Sequence, residues 1–291
     1  MAEKDLTEKI LLNYNDVFAD IINSLLFNGS EEVKPSALEN RLVHSQYKAD
    51  DGHLHEEERD VFKVWRKYGV EIALCGLENQ TSSYKYMPAR VIGYDGAGYR
   101  EQLLNDGEKS IVPVITLVLY FGTEHWNQPR SLRELFGSYP KELDEYVNDY
   151  KIHVFEVSWF EDDVIERFTS DFKVVARFFS DKRKYGDDYI PKDPTVIKHV
   201  DAVLKLLSVM THDHRFEEIV FTEEERRNAD MCAVVDKLVG IGEARGEARG
   251  EAKGRAEERS DNIRKFAAHL MKQNPDLSKE EVVEEARKII R

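Results

Sequence analysis

The chain has 291 residues, of which 41% are hydrophobic and 34% charged, and its formal net charge at pH 7 is −14. This length and composition suffice for a folded domain with a sizeable core. The acidic charge argues against nonspecific coating of nucleic acid, itself a polyanion, but it leaves room for a local basic groove or for clustered carboxylates that bind a divalent metal.

Composition also bears on cellular location. The two cysteines, Cys75 and Cys232, cannot form a disulfide framework, so we expect reduced thiols in a cytoplasmic protein. The first five residues include Glu3 and Asp5 and lack the apolar segment of a signal peptide. The longest apolar run, residues 111–121, is too short to span a bilayer, so we expect no membrane partner.

The first half of the chain predicts a mixed sheet. Apolar residues at helical spacing predict a helix from Leu6 to Phe27. Two strands, Arg59 to Trp65 and Val70 to Gln80, are predicted to form a hairpin. A helix from Pro88 to Leu104 then precedes Ile111 to Phe121, which is apolar on both faces and predicts a buried central strand. A strand, a helix and a second buried strand predict a right-handed parallel crossover.

Further elements extend this domain to residue 222. A strand at Lys151 to Ser158 is expected to join the sheet, and helices are expected near Asp163 to Asp181 and Thr195 to Met210. The predicted fold class is therefore α/β, with a mixed central sheet flanked by helices and a C-terminal helical extension.

The extension is predicted to contain two parts, residues 223–260 and 261–291. The first is a long helix with Gly-Glu-Ala-Arg repeats between Gly242 and Lys253. Because such a helix is marginal alone, it is interpreted either as a device for homo-oligomerisation through its small-residue faces or as a solvated linker. The second part is interpreted as a small helical segment, with a helix-turn-helix fragment as the alternative, and in it Ser278 and Glu281 have the spacing of a capping box.

The predicted hairpin brings acidic residues together. Glu78 and Gln80 lie at the end of an otherwise apolar strand face, and Asp60 lies at the start of the partner strand. In an antiparallel hairpin the start of one strand lies beside the end of the next, so Asp60 is expected near Glu78. Two such carboxylates suit a hard divalent cation. The alternative is that they are surface carboxylates paired with Arg59, Lys63 or Arg66.

Other metal or phosphate motifs are weaker. The pairs His53-X-His55 and His212-X-His214 are each compatible with zinc, but no further ligand cluster accompanies either pair. The glycines at 93–98 lack the strand and helix context of a phosphate-binding loop.

Several segments together resemble a known family. They are Asn15-Asp16-Val17-Phe18-Ala19-Asp20, Leu26-Phe27, Arg59-Asp60-Val61, Glu78-Asn79-Gln80, Met87-Pro88-Ala89-Arg90, Tyr94, Tyr99, the run from Pro113 to Gly122, Trp126 and Pro129. In these segments, and in its C-terminal glycine, charge and alanine repeat, the chain resembles the recombination-promoting nuclease (Rpn) family, transposase-related proteins of the PD-(D/E)XK nuclease superfamily. The resemblance covers nearly the full length.

The resemblance implies a restriction-endonuclease-like core that hydrolyses DNA phosphodiesters with Mg²⁺ or Mn²⁺. It implies that Asp60 and Glu78 are metal ligands, with the Asn79 carbonyl as a further candidate. Gln80 takes the position of the superfamily lysine, so weaker stabilisation of the developing anion is expected. Asp16 resembles an additional acidic residue near the metal, although an exposed helix carboxylate is the alternative.

The expected partner is DNA. Lys63 and Lys85 are candidates to assist Gln80, and together with Tyr86 and Arg90 they are candidate DNA contacts, because cations bind phosphate and aromatic rings stack on bases. Core tyrosines and solvated arginines are the alternative interpretation. A second functional hypothesis is a catalytically weak protein that keeps the nuclease fold as a DNA-binding or assembly module.

Overall fold

A computed structural model describes residues 10–40, 44–48, 54–58, 61–67, 70–76, 83–105, 111–186, 189–273 and 278–290. The chain divides into two compact units, Met1–Val235 and Asp236–Arg291. The predicted domain boundaries at residues 222 and 260 stay predictions.

The first unit contains a five-stranded mixed sheet and a separate hairpin. The strands are β1 (Leu38–Asn40), β2 (His44–Lys48), β3 (Leu54–Glu58), β4 (Val61–Trp65), β5 (Val70–Gly76), β6 (Val114–Tyr120) and β7 (His153–Glu156). The sheet has the order β1-β4-β5-β6-β7, and β2 pairs with β3 apart from it. The sequence did not predict β1 or the β2–β3 hairpin.

Helices account for most of the remaining regular structure. They are α1 (Asn15–Leu26), α2 (Met87–Asn105), α3 (Asp162–Ile165), α4 (Phe172–Tyr185), α5 (Val200–Thr211), α6 (Arg215–Glu218), α7 (Glu223–Arg226), α8 (Met231–Gln273) and α9 (Lys279–Ile289). Short 3₁₀ segments include Arg133–Leu135, Lys141–Tyr146 and Val157–Trp159.

The antiparallel pairing of the predicted hairpin and the parallel pairing of the predicted crossover are confirmed in the described residues, whereas the right-handedness of the crossover stays a prediction. Strands β4 and β5 pair antiparallel, with Val61 opposite Leu74 and Trp65 opposite Val70. The chain then passes through α2 into β6, which pairs parallel to β5. Strand β7 continues the parallel part of the sheet. Strands β5, β6 and β7 therefore run in one direction, whereas β4 runs in the opposite one.

Strand β6 is an interior strand of the sheet, between β5 and β7, and it is buried as its apolar sequence predicts. Leu117, Val118 and Leu119 are inaccessible to solvent. A strand that is buried on both faces needs a layer on each side. On one side Val118 packs with Met87 and Val91 of α2.

Helix α1 is tied to the sheet and to a distant loop. Most of its apolar residues are buried, and it ends at Leu26, shortly before Asn28 and Gly29, whose positive φ angles of 52° and 88° do not continue a helix. The carboxylate of Asp20 is buried and accepts hydrogen bonds from the backbone and hydroxyl groups of Thr169 and Ser170. The hydrogen bonds of Asp20 therefore connect α1 to the segment that precedes α4.

The structure corrects the predicted boundaries of the long helix. Helix α8 begins at Met231 rather than at residue 223, and it extends to Gln273 rather than ending at residue 260. Every residue from 243 to 262 is exposed, and a Cβ atom added to Gly246 or Gly250 would meet no atom within 4 Å. The capping box at Ser278 and Glu281 is confirmed as the start of α9. Homo-oligomerisation through this helix stays a prediction.

Candidate functional site

The parallel strands define one edge of the sheet. Gly76 of β5 lies opposite Leu119 of β6, and Tyr120 of β6 lies opposite Glu156 of β7. The last residues of β5, β6 and β7 therefore lie side by side at what we call the carboxyl edge. In open sheets with parallel strands, ligands bind preferentially beyond the carboxyl ends of the strands.

Four predicted site residues, Asp60, Glu78, Asn79 and Gln80, lie outside the described residues. The strand ends next to them in sequence are described. Strand β4 begins at Val61, opposite Leu74, and β5 ends at Gly76. The chain is described again from Ser83, whose hydroxyl donates to Asn127 Oδ1 at 2.6 Å.

Glu156, at the end of β7, organises the loop that follows β6. Its carboxylate accepts the backbone N–H of Trp126 at 3.0 Å, bonds the Nδ1 of His125 at 2.8 Å and pairs with Arg130 at 2.6 Å. Burial alone would raise the pKa of Glu156, but these hydrogen bonds and the charge of Arg130 lower it overall. Glu156 is therefore an anionic anchor for this loop.

An aromatic stack lies beside this anchor. The imidazole of His125 stacks on the indole of Trp159, with ring centroids 3.5 Å apart and an interplanar angle of 23°. The Arg183 guanidinium lies 3.9 Å from the centroid of Trp159, and its Nε donates to the Ser158 carbonyl. The side chain of His125 remains 64% exposed. These residues were not predicted as site residues from the sequence, although Glu156 lies near the end of the predicted strand Lys151 to Ser158.

Tyr120 and Gly122 shape the same edge. Tyr120 is buried against Trp126 in an edge-to-face contact, and burial, with the nearby carboxylates of Glu156 and Glu124, raises the pKa of its phenol. A Cβ atom on Gly122 would overlap the phenol ring of Tyr120. Glycine is therefore required at this position by the close approach of the tyrosine ring.

We expect Gly122→Ala to destabilise the protein. The added methyl group must displace Tyr120 from a packed position, which costs about 1–3 kcal/mol of unfolding free energy. Urea unfolding measures this loss. Gly137→Ala is the matched control because nothing lies within 4 Å of an added Cβ there, so its effect should stay within about 0.5 kcal/mol. Equal effects of the two changes would contradict the packing argument.

Three predicted DNA contacts lie near the start of α2. The ammonium group of Lys85 lies 5.5 Å from the ring centroid of Tyr86, which is 52% exposed. Arg90 lies over the ring of Tyr84 at 5.2 Å. Tyr84 packs against the cluster that contains Met87 and the edge residues Tyr120 and Trp126. These side chains thus lie on the α2 side of the carboxyl edge, and their role in DNA binding stays a prediction.

Lys63, the fourth predicted DNA contact, is buried. Its ammonium group donates to the Asn13 carbonyl at 2.8 Å and to Asn15 Oδ1 at 2.7 Å, and it also bonds the side-chain oxygen of Asn40. The ring of Phe18 lies 5.6 Å away. Burial lowers the pKa of Lys63 from 10.5 to about 8. A contact between Lys63 and DNA phosphate would require the ammonium group to leave these acceptors.

Asp16 lies at the start of α1 and makes two polar contacts with the segment before α5. Its carboxylate pairs with Lys198 at 2.6 Å and bonds the Nε2 of His199, whose ring stacks on Tyr14. Burial raises the pKa of Asp16, but the hydrogen bonds and charges of Lys198 and His199 lower it overall. The predicted place of Asp16 beside a metal stays a prediction.

The alternative zinc pairs gain no support from the described residues. His53 lies outside them, and nothing is described of the side chain of His55. His214 contacts Glu217, and among the described residues no group of three or more histidine, cysteine, aspartate and glutamate side chains could hold a metal ion.

The first unit therefore combines helices with a mixed β-sheet, and polar and aromatic side chains lie at the carboxyl ends of its parallel strands. A family model described as "Putative transposase, YhgA-like" matches residues 34–190, more than half of the chain. The chain therefore belongs to this transposase family, which confirms the resemblance proposed from the sequence. No curated protein and no solved structure matches it. Within the described residues, no helix is long and apolar enough to cross a membrane.

Proposed function

We propose that the chain is a divalent-metal-dependent DNA endonuclease that acts in recombination or on mobile elements. Membership of the YhgA-like transposase family supports a DNA-processing role. The observation that carries the proposal is the strand arrangement, because the start of β4 lies beside the end of β5 and both flank the segments that contain Asp60 and Glu78. A restriction-endonuclease-like core is part of the same proposal.

The residues proposed for the site fit a magnesium or manganese ion by their chemistry. Asp60 and Glu78 supply carboxylate oxygens, and Asn79 supplies a carbonyl oxygen, which are the ligands that such hard cations prefer. When bound, the ion supplies Lewis-acid stabilisation of the charge that develops on the phosphate. The carboxylates would hold the ion, and the neighbouring polar groups would position the DNA strand.

Gln80 would act on the attacking water. Its amide carbonyl accepts and its amide N–H donates, so it can orient a water molecule, but it lacks the positive charge by which lysine stabilises a developing anion. Lys85 lies close behind Gln80 in sequence and is the candidate to supply that charge. Slow chemistry is therefore expected.

A second candidate function is a DNA-binding or assembly module with weak catalysis. Glutamine in place of lysine at residue 80 and the net charge of −14 favour it. The two candidates differ in turnover rather than in DNA binding, so a cleavage assay separates them.

We expect the purified full-length protein to nick supercoiled plasmid with Mg²⁺ or Mn²⁺ and to lose this activity in EDTA, because the proposed site needs the cation for charge stabilisation. Agarose-gel separation of supercoiled, nicked and linear plasmid measures the product. Cleavage that persists in EDTA would contradict metal dependence. DNA binding without cleavage under either metal would favour the second candidate.

A further inference from the structure

We propose that His125 is a stacking platform for an unpaired base of the nucleic-acid substrate. This inference rests on the proposed function, because it places a substrate contact next to the site proposed for cleavage. It adds a substrate class, namely DNA with a single-stranded or frayed segment, and it assigns a role to a residue that the sequence motifs do not include.

The first argument is that His125 is exposed and yet held in one orientation. Its Nδ1 bonds Glu156 at 2.8 Å, and one face of its ring is covered by Trp159 at a centroid separation of 3.5 Å. The side chain as a whole is 64% exposed, so we take the other ring face to be the one open to a ligand. A flat ring that is fixed before binding loses little conformational entropy when a ligand stacks on it.

The second argument is that the nearby charges are already engaged. Arg130 pairs with Glu156, and Arg183 lies over the indole of Trp159 while its Nε donates to a backbone carbonyl. Phosphate binding is therefore not the interaction that this surface favours, whereas every base has a π face that can extend the stack of Trp159 and His125.

The third argument concerns position. Glu156 ends β7, which is two strands away from β5, and strands in a sheet are about 4.8 Å apart. The platform is therefore expected about 10 Å along the carboxyl edge from the end of β5, a distance of about three stacked nucleotides. In a duplex both faces of an internal base are covered by its neighbours, so only an unpaired or terminal base can reach the ring of His125.

The test compares His125→Ala with His125→Phe. Binding of fluorescein-labelled oligothymidine and of a blunt hairpin duplex is measured by anisotropy in EDTA, which prevents metal-dependent cleavage. We expect His125→Ala to weaken oligothymidine binding about tenfold and duplex binding less than twofold. Phenylalanine keeps the ring face but loses the bond to Glu156, so His125→Phe should stay within about twofold of the wild type.

His153→Ala is the matched control, since His153 is exposed at the opposite end of β7. It should bind both probes like the wild type, and circular dichroism should show unchanged folding in all three variants. Wild-type-like binding by His125→Ala, or equal losses in His125→Ala and His125→Phe, would overturn the stacking platform. So would a wild type that binds no oligothymidine. If the variants bind as expected but the wild type cleaves DNA with neither Mg²⁺ nor Mn²⁺, the proposed endonuclease activity is wrong, whereas the proposed stacking role of His125 is supported.

Discussion

Asp60→Asn and Glu78→Gln should each slow plasmid nicking by about 10²- to 10³-fold, because each removes one negative charge from the proposed metal site. Both changes preserve side-chain size. The lost activity should therefore reflect weaker metal binding and weaker charge stabilisation rather than altered packing. Initial rates of nicking over a series of Mg²⁺ concentrations measure the effect, and partial recovery at high Mg²⁺ would indicate a lost ligand.

Asp261→Asn is the control for a general effect of charge. Asp261 is an exposed carboxylate on α8, within the separate second unit, and its replacement should leave the rate unchanged. Gln80→Lys should raise the rate about tenfold if the missing positive charge limits the chemistry. Nicking at the wild-type rate by both the Asp60 and Glu78 variants would place the active site elsewhere.

Strands β4, β5 and β6 were predictable because their apolar residues form continuous or nearly continuous runs in the sequence. The run that forms β6 is apolar on both faces, and such a strand must lie inside a covered sheet. The β4–β5 hairpin follows from two apolar strands joined by a short turn. In contrast, β1 has a single apolar residue, Leu38, and β2 and β3 are mostly polar, so no hydrophobic periodicity marks them.

The candidate site was predictable only where its residues share a hairpin. Asp60 and Glu78 are proposed neighbours because the strands that adjoin them are close in sequence. His125 and Glu156 are 31 residues apart, and only the parallel pairing of β6 with β7 brings them together. No local pattern encodes such a pair. The stack of His125, Trp159 and Arg183 depends on the same long-range pairing.

The burial of Lys63 was also not predictable from the sequence. A lysine on a strand is expected to extend to solvent, and burial of its charge requires several acceptors. Here the acceptors come from Asn13, Asn15 and Asn40, which lie outside the strand that carries Lys63. The segment around Asn15 belongs to the family resemblance, and this network gives a structural reason for an asparagine at that position.

Lys63→Met should lower the free energy of unfolding by about 2 kcal/mol at pH 7, because the partly buried hydrogen bonds from its ammonium group to Asn13, Asn15 and Asn40 are lost. Methionine fills a similar volume, so the loss reports the hydrogen bonds rather than a cavity. Urea unfolding followed by circular dichroism measures it. Lys198→Met is the matched control, since Lys198 is an exposed lysine whose single carboxylate partner is Asp16 among the described contacts, and it should cost less than about 1 kcal/mol.

The same two variants should respond oppositely to pH. Burial lowers the pKa of Lys63 from 10.5 to about 8, so between these values the unfolded chain holds a proton that the folded protein has released. Rising pH then favours the folded state, and the stability difference between wild type and Lys63→Met should grow from pH 8 towards 10.5. The hydrogen bond from Lys198 to Asp16 raises the pKa of Lys198 above 10.5, so its stabilising contribution is complete below that value and is lost as pH rises through the folded-state pKa. A stability difference for Lys63→Met that shrinks between pH 8 and 10 would mean that hydrogen bonding to the ammonium group, rather than burial, determines its titration.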